Sequence, residues 1–225
     1  MLHLPKTMPG PKVELQAEKI KVAGTYRIDS VIRQLKSDFH NKCYLCEDSP
    51  HFINIEHFIP HKKNLDLKFS WENLFWACGH CNNIKGGNFD GILNCVTDAD
   101  IEGKLDYIFS SFPSEDVVIN DLQGSAESTK TAELLLNIYN GTTILKKIES
   151  SMLRKNIARQ LLELNTHVIN FEDAEEDPEA RAYQGEMIKF KVRTSAKFAS
   201  FSRAHLKRFP ITLKKLRDEI AQFPF

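Results

Sequence analysis

The strongest constraint on this chain is a pair of cysteine doublets, Cys43-Tyr-Leu-Cys46 and Cys78-Gly-His-Cys81, separated by 31 residues. Two C-x2-C knuckles read as one four-thiolate site, and that donor set selects zinc (Zn²⁺). A plain zinc ribbon separates its knuckles by about 15 to 20 residues. The longer interval predicts that the metal closes the base of an inserted element with its own purpose. That element holds Ile55-Glu56-His57-Phe58-Ile59-Pro60, and the second knuckle runs on into Asn82-Asn83-Ile84-Lys85-Gly86-Gly87. His80, inside that knuckle, is an alternative ligand, but four thiolates suffice without it.

The fifth cysteine, Cys95, is expected as a buried or free thiol rather than half of a bridge. No apolar run approaches the roughly 18 residues of a membrane span, and no charged start leads into a signal core. A soluble, cytoplasmic protein of 225 residues is the expectation. Thirty basic and thirty acidic side chains cancel, unlike the positive field of a free-standing nucleic-acid binder. Between Cys43 and Asp90 four basic side chains meet six acidic ones. Positive charge gathers instead at 189–217, where ten basic side chains occur without an acid, interleaved with Phe190, Phe198, Phe201 and Phe209. Such a run is either a solvated helical face or a set of aromatics buried against preceding helices.

Along the chain, residues 1–24 read as an arm with no chemistry, loose or docked. From Thr25, Ile28, Val31, Ile32, Leu35 and Phe39 repeat at helical spacing, predicting a helix braced against the first knuckle. Phe52, Ile53, Ile55 and Phe58 predict a short strand ended by Pro60; Trp71 to Ala77 predicts a second short strand or a turn, and a helix is expected near Asn82. Leu105, Tyr107 and Phe109 alternate, and Val117-Val118-Ile119 is a candidate strand. From Thr129 the pattern is helical to Gly141, then again from Thr142 through Ile144, Ile148, Met152, Ile157, Leu161 and Leu164. An acidic break at 172–179 precedes a last helical region. The organisation expected is an arm and bracing helix over 1–42, the cysteine-bounded core over 43–97, and a mainly helical region over 98–225 for partner docking or substrate binding.

The core residues carry the chemistry. Hydrolysis of a phosphodiester needs a water deprotonated near neutral pH, and a cation that absorbs charge on the phosphoryl and leaving oxygens. A histidine suits the first task, because its unperturbed pKa is about 6.5. His57 stands beside Glu56, a hard oxygen donor fitted to Mg²⁺ or Mn²⁺. Asn82 follows directly on Cys81, so the knuckle fixes an amide oxygen that can complete the metal site. Lys85, one turn on, is expected to hold a phosphate oxygen, and Asn73 to hydrogen-bond the loop that carries His57. His51 and His61 lie near enough in sequence to matter. Trp71, Phe75 and Trp76 either stack bases or pack over the zinc.

At these residues the chain resembles the HNH, or ββα-metal, nuclease family in its zinc-knuckle form. The match covers Cys43-x2-Cys46, Glu56-His57-Phe58-Ile59-Pro60, Asn73-Leu74 and Cys78-x2-Cys81-Asn82-x2-Lys85, roughly a fifth of the chain. The resemblance implies His57 as general base, Glu56 and Asn82 as ligands of the catalytic divalent metal, Asn73 as the loop anchor and four cysteines on structural zinc. It implies an α+β fold: a small zinc-stabilised ββα-metal core followed by a mainly α-helical C-terminal region. Two departures stand out. The acid is Glu where the family most often has Asp, and the common Gly-Gly after the proline is replaced by His61-Lys62-Lys63-Asn64, which points to a substrate contact by His61 or Lys62. The longer layout is similar to the PtuB-like HNH subunit of Septu-type anti-phage systems, some of which accompany retrons. That likeness implies a PtuA-like ATPase partner and, in some cases, a retron reverse transcriptase with its nucleic acid.

Three functions remain open from the sequence: a metal-dependent nuclease in a defence complex, a non-catalytic zinc module that docks nucleic acid or protein, and an RNA-cleaving enzyme using the same site. Such a site grips phosphate and by itself reads neither sugar nor base.

Overall fold

The computed structural model describes residues 1–49 and 52–225, so His51 lies outside the described residues. The chain is α+β, with two small antiparallel sheets and a helical C-terminal region. Among the described residues no helix is long and apolar enough to cross a membrane.

The N-terminal arm is docked, not loose. Leu2 and Leu4 are buried, the Leu4 amide donates to the Cys95 carbonyl, and the buried Lys6 ammonium donates to the Trp71 and Leu74 carbonyls. Gly10 is in the left-handed region, and a Cβ there would collide with the Trp71 indole, so only glycine lets the arm turn there. A short helix follows that the sequence pattern did not announce, α1 (Lys12–Lys19). The bracing helix α2 spans Asp29–Asp38 and buries Val31 and Leu35, with Phe39 just beyond. Ile32 is turned outward. The Phe39 ring packs 5.6 Å from Phe75 and 6.4 Å from Tyr44, which seats this helix on the first knuckle.

The central unit is a ββα arrangement. β1 (Ile53–His57) pairs antiparallel with β2 (Leu74–Cys78), Ile53 opposite Cys78 and His57 opposite Leu74. Between them lie a short helix α3 (Leu65–Lys68) and a 3-10 turn at Trp71–Asn73. Helix α4 (Gly79–Lys85) begins three residues before Asn82, inside the knuckle, with Cys78 as its N-cap. After α5 (Ile101–Lys104), a second hairpin forms from β3 (Leu105–Ile108) and β4 (Val118–Asp121).

The helical region consists of α6 (Ala126–Asn140), α7 (Ile144–Asp173), α8 (Pro178–Val192), α9 (Ala199–Lys207) and α10 (Pro210–Glu219). Ser125 caps α6 through a reciprocal bond with Ser128. Asp177 caps α8 just ahead of Pro178, where a proline costs no hydrogen bond. In α7 the core face is Leu153, Ile157, Leu161 and Leu164; Ile144, Ile148 and Met152, expected on that face, point to solvent. At about 100° per residue the five-residue step from 152 to 157 turns by about 140°, so Ile144, Ile148 and Met152 lie on the side of the helix opposite Leu153, Ile157, Leu161 and Leu164.

One buried cluster contains residues from all three expected segments, from Met1 through the cysteines to Ile220. Trp71, Phe75 and Trp76 belong to it, so these rings pack the interior and do not stack bases. Phe198 and Phe201 are likewise buried, while Phe190 and Phe209 are half exposed.

Candidate active site

The four cysteines are buried and unbridged, and their sulfur atoms lie within 4.8 Å of one another. A tetrahedral zinc with Zn–S of about 2.3 Å separates its sulfurs by about 3.8 Å. Cys46 Sγ and Cys78 Sγ are 3.9 Å apart, close to that spacing, so the donor set fits a four-thiolate zinc site. His80 is not a ligand: its ring nitrogens are taken up by Glu149 Oε2 at 2.7 Å and the Ile138 carbonyl at 2.9 Å. Cys95 is buried apart from the cluster, and burial pushes its thiol up to about 12.

The cysteine cluster lies at one end of the hairpin and His57 at the other, four residues or about 13 Å along β1. The half-buried His57 ring is gripped edge-on by Tyr26 and His61, each centroid 4.6 Å away. Its Nε2 lies 3.0 Å from the Lys68 carbonyl oxygen. A carbonyl only accepts, so Nε2 carries the proton and Nδ1 keeps a lone pair. Nδ1 makes no hydrogen bond to the described residues. Burial holds the imidazole below its ordinary pKa, despite the opposing pull of the Lys68 carbonyl.

Asn73 anchors the loop beneath this ring. Its Oδ1 accepts from the Ile59 amide at 2.7 Å, and its Nδ2 donates to the carbonyls of Ile59 and Leu67 at 2.9 and 3.0 Å. All of its hydrogen-bonding capacity but one lone pair goes to both ends of the 59–67 loop. In that loop Lys62 and Lys63 have φ of 43° and 70°, a left-handed conformation that favours glycine. The replacement of Gly-Gly by His-Lys-Lys-Asn thus leaves a glycine-like backbone in place. Lys62 is exposed and His61 partly so.

Glu56 is buried, and desolvation pushes its carboxyl up to about 7 against the pull of Lys85. Oε1 is ion-paired with Lys85 Nζ at 2.7 Å, whereas Oε2 has no hydrogen-bond partner among the described residues. The Tyr44 hydroxyl is a second unpartnered buried atom, and its ring packs 5.0 Å from Phe75, the residue opposite Glu56 in the ladder. Asn82, one turn before Lys85 on α4, is partly exposed, and its side chain makes no hydrogen bond to the described residues.

Lys85 itself corrects the expectation drawn from spacing. It is only 1 % exposed, and its ammonium spends its donors on Glu56, on the Phe58 carbonyl at 2.9 Å and, more weakly, on the His57 carbonyl at 3.5 Å. A side chain so enclosed does not reach a phosphate; it ties α4 to three consecutive residues of the strand end.

The structure therefore brings Glu56, His57, His61, Asn73 and Lys85 together, with Asn82 on the adjoining helix and Lys62 at the loop surface. Residues 43–88 match the HNH endonuclease family model. The HNH segment and the four-cysteine cluster together fit a zinc-binding family of HNH nucleases. No curated protein matches the chain. Two features of the candidate site had no sequence signal: the edge-on Tyr26 ring, far away in sequence, and the Lys68 carbonyl, which any residue at that position supplies.

Proposed function

We propose that this chain is a divalent-metal-dependent HNH endonuclease that hydrolyses nucleic-acid phosphodiester bonds with His57 as general base. The observation that carries the reading is the Nε2 bond to the Lys68 carbonyl. It fixes the tautomer whose free Nδ1 can take a proton from water, and burial keeps the ring neutral near pH 7. Asn73 holds both ends of the 59–67 loop and so positions the approach to that nitrogen. Glu56 Oε2, a buried carboxylate oxygen without a donor, and the unpaired Asn82 amide are the groups that would hold Mg²⁺ or Mn²⁺. No other cluster of three or more Cys, His, Asp or Glu side chains is present among the described residues beyond the zinc cysteines, so water and phosphate would complete that shell. When bound, the cation would stabilise charge on the phosphoryl and leaving oxygens.

The test is cleavage of plasmid DNA and of total RNA under Mg²⁺ or Mn²⁺ titration, both substrates being open to a site that grips phosphate. His57→Ala should lower turnover by about 10² to 10⁴ and resist rescue by added metal. Asn82→Ala should shift the metal requirement upward and recover part of its activity at high metal. Near-normal cleavage by His57→Ala would remove the nuclease reading and leave a zinc docking module.

We further propose that the nuclease acts inside an assembly with an ATPase, as in Septu-type or retron-associated defence. Support comes from the similarity in layout, from the zero formal charge, and from the outward face of α7, where Ile144, Leu145, Ile148 and Met152 are 51 to 83 % exposed. A stable monomer in sedimentation that cleaves efficiently alone would count against it.

A further inference from the structure

A cleft of about 530 Å³ opens where α7, α8 and the segment between α8 and α9 meet the first zinc knuckle. Its wall carries Arg159, Lys191, Arg193 and Lys197 against two acids, Asp48 and Glu163. Two of the four cations are neutralised, Lys191 by Glu163 and Lys197 by Asp48. The other two are not. Arg159 is held by the Asn156 side-chain oxygen at 3.1 Å, and the Arg193 guanidinium lies 3.9 Å over the Phe190 ring. No carboxylate lies within ion-pair distance of either among the described residues. Elsewhere in the basic stretch, Lys189, Arg203, Arg208, Lys214 and Lys215 are paired with acids, whereas Lys207 and Arg217, outside the cleft, have no acid partner among the described residues. The unspent charge of the cleft is thus two pre-oriented guanidiniums beside a ring that is 46 % exposed.

We propose that this cleft binds a single-stranded segment of nucleic acid, with Arg159 and Arg193 on phosphate and a base stacked on the Phe190–Arg193 pair. Guanidiniums match phosphate oxygens in a planar fork. Aromatic faces with a stacked arginine accept any base. The volume admits a nucleotide or two and excludes a double helix, whose diameter is several times greater. The proposal rests on the nuclease reading, because it supplies a hold on the strand remote from His57: the cleft borders Asp48, two residues past Cys46 and at the zinc end of the hairpin.

Binding is measured by fluorescence anisotropy on full-length His57→Ala protein, without added divalent metal, using mixed-sequence single-stranded DNA, single-stranded RNA and blunt duplex at several salt concentrations. Arg159→Glu with Arg193→Glu should weaken single-strand binding at least tenfold and flatten the log–log salt slope by about 1.4, the share of two phosphate contacts. Phe190→Ala should weaken it roughly five- to a hundredfold with the salt slope unchanged. Lys214→Glu, on the exposed last helix, should do neither, and zinc content and circular dichroism should stay at wild-type values throughout. Unchanged affinity and slope in the arginine pair would overturn the proposal. So would polyglutamate competing as well as the oligonucleotide, which would assign the cleft to an acidic protein segment. Cleft-dependent binding without cleavage by the His57-intact protein, both alone and with the ATPase partner added, would sink the nuclease reading alone; cleavage with cleft-independent binding would sink the cleft alone.

Discussion

Lys85 is the residue whose role depends most on burial. Its ammonium and the Glu56 carboxylate are both enclosed, and breaking such a pair leaves one charge without compensation. Lys85→Met should therefore destabilise the fold by about 3 to 5 kcal/mol in denaturant unfolding, well beyond the mild loss of a surface phosphate contact. A variant with wild-type stability and weakened substrate binding would restore the phosphate role. Helical spacing placed Lys85 one turn from Asn82, but spacing carries no information on which face of a short helix is covered. Glu56, His57 and Asn73 were legible as a set because their order between the knuckles is itself the signal. Lys62 and Lys63 were legible only as a departure. Their left-handed backbone predicts that Lys63→Gly stabilises the protein by up to about 1 kcal/mol in thermal unfolding, since glycine lacks the Cβ penalty there. A destabilised Lys63→Gly would mean that the lysine stem contributes packing that outweighs the strain.

Among the elements, the two hairpin strands and the helix after the knuckle could be read because short apolar and aromatic runs end at Pro60 and at the second knuckle, although β2 is buried at all five positions and shows no alternation. Helix α1 could not, as Lys12–Lys19 has a single buried anchor, Leu15. Helix α7 was found but wrongly faced. An amphipathic stripe is ambiguous when both faces carry aliphatics, and this helix has Leu153, Ile157, Leu161 and Leu164 inside with Leu145, Ile148, Met152, Leu162 and Ile169 outside. The assignment is measurable. Leu161→Ala should cost about 2 to 5 kcal/mol, the range for a truncated core leucine, whereas Ile148→Ala in the isolated chain should stay within about 0.5 kcal/mol of wild type. Equal losses at both sites in chemical denaturation would show that the outer face is covered in solution.

At the scale of the molecule, the zinc module has no independent boundary. Lys42, directly before the first cysteine, donates to the Thr194 and Ala196 carbonyls at 2.5 and 2.7 Å. Glu47, directly after Cys46, accepts from the Ser200 amide at 2.9 Å, and the Tyr139 hydroxyl reaches the Cys46 carbonyl at 3.3 Å. Both charged side chains are buried: Lys42 takes its two acceptors from residues more than 150 positions away, and Glu47 is shared between the Ser200 amide, equally distant in sequence, and the Met1 ammonium at 3.2 Å. Removing the helical region would strip the buried Lys42 ammonium of its acceptors, at several kcal/mol if it stayed buried, and would leave the Glu47 carboxylate with the Met1 ammonium but without its Ser200 donors. A fragment of residues 1–97 is therefore expected to hold zinc weakly and to lack the cooperative unfolding of the full chain. In the full chain, stripping zinc with a chelator should cost helical signal well beyond α4, because metal binding and folding share one free energy. The two are checked together by circular dichroism and zinc release under competing chelator. A 1–97 fragment that retains zinc as tightly as the whole protein and melts in a sharp transition would instead make the knuckles a self-sufficient module, with the helices an appended platform.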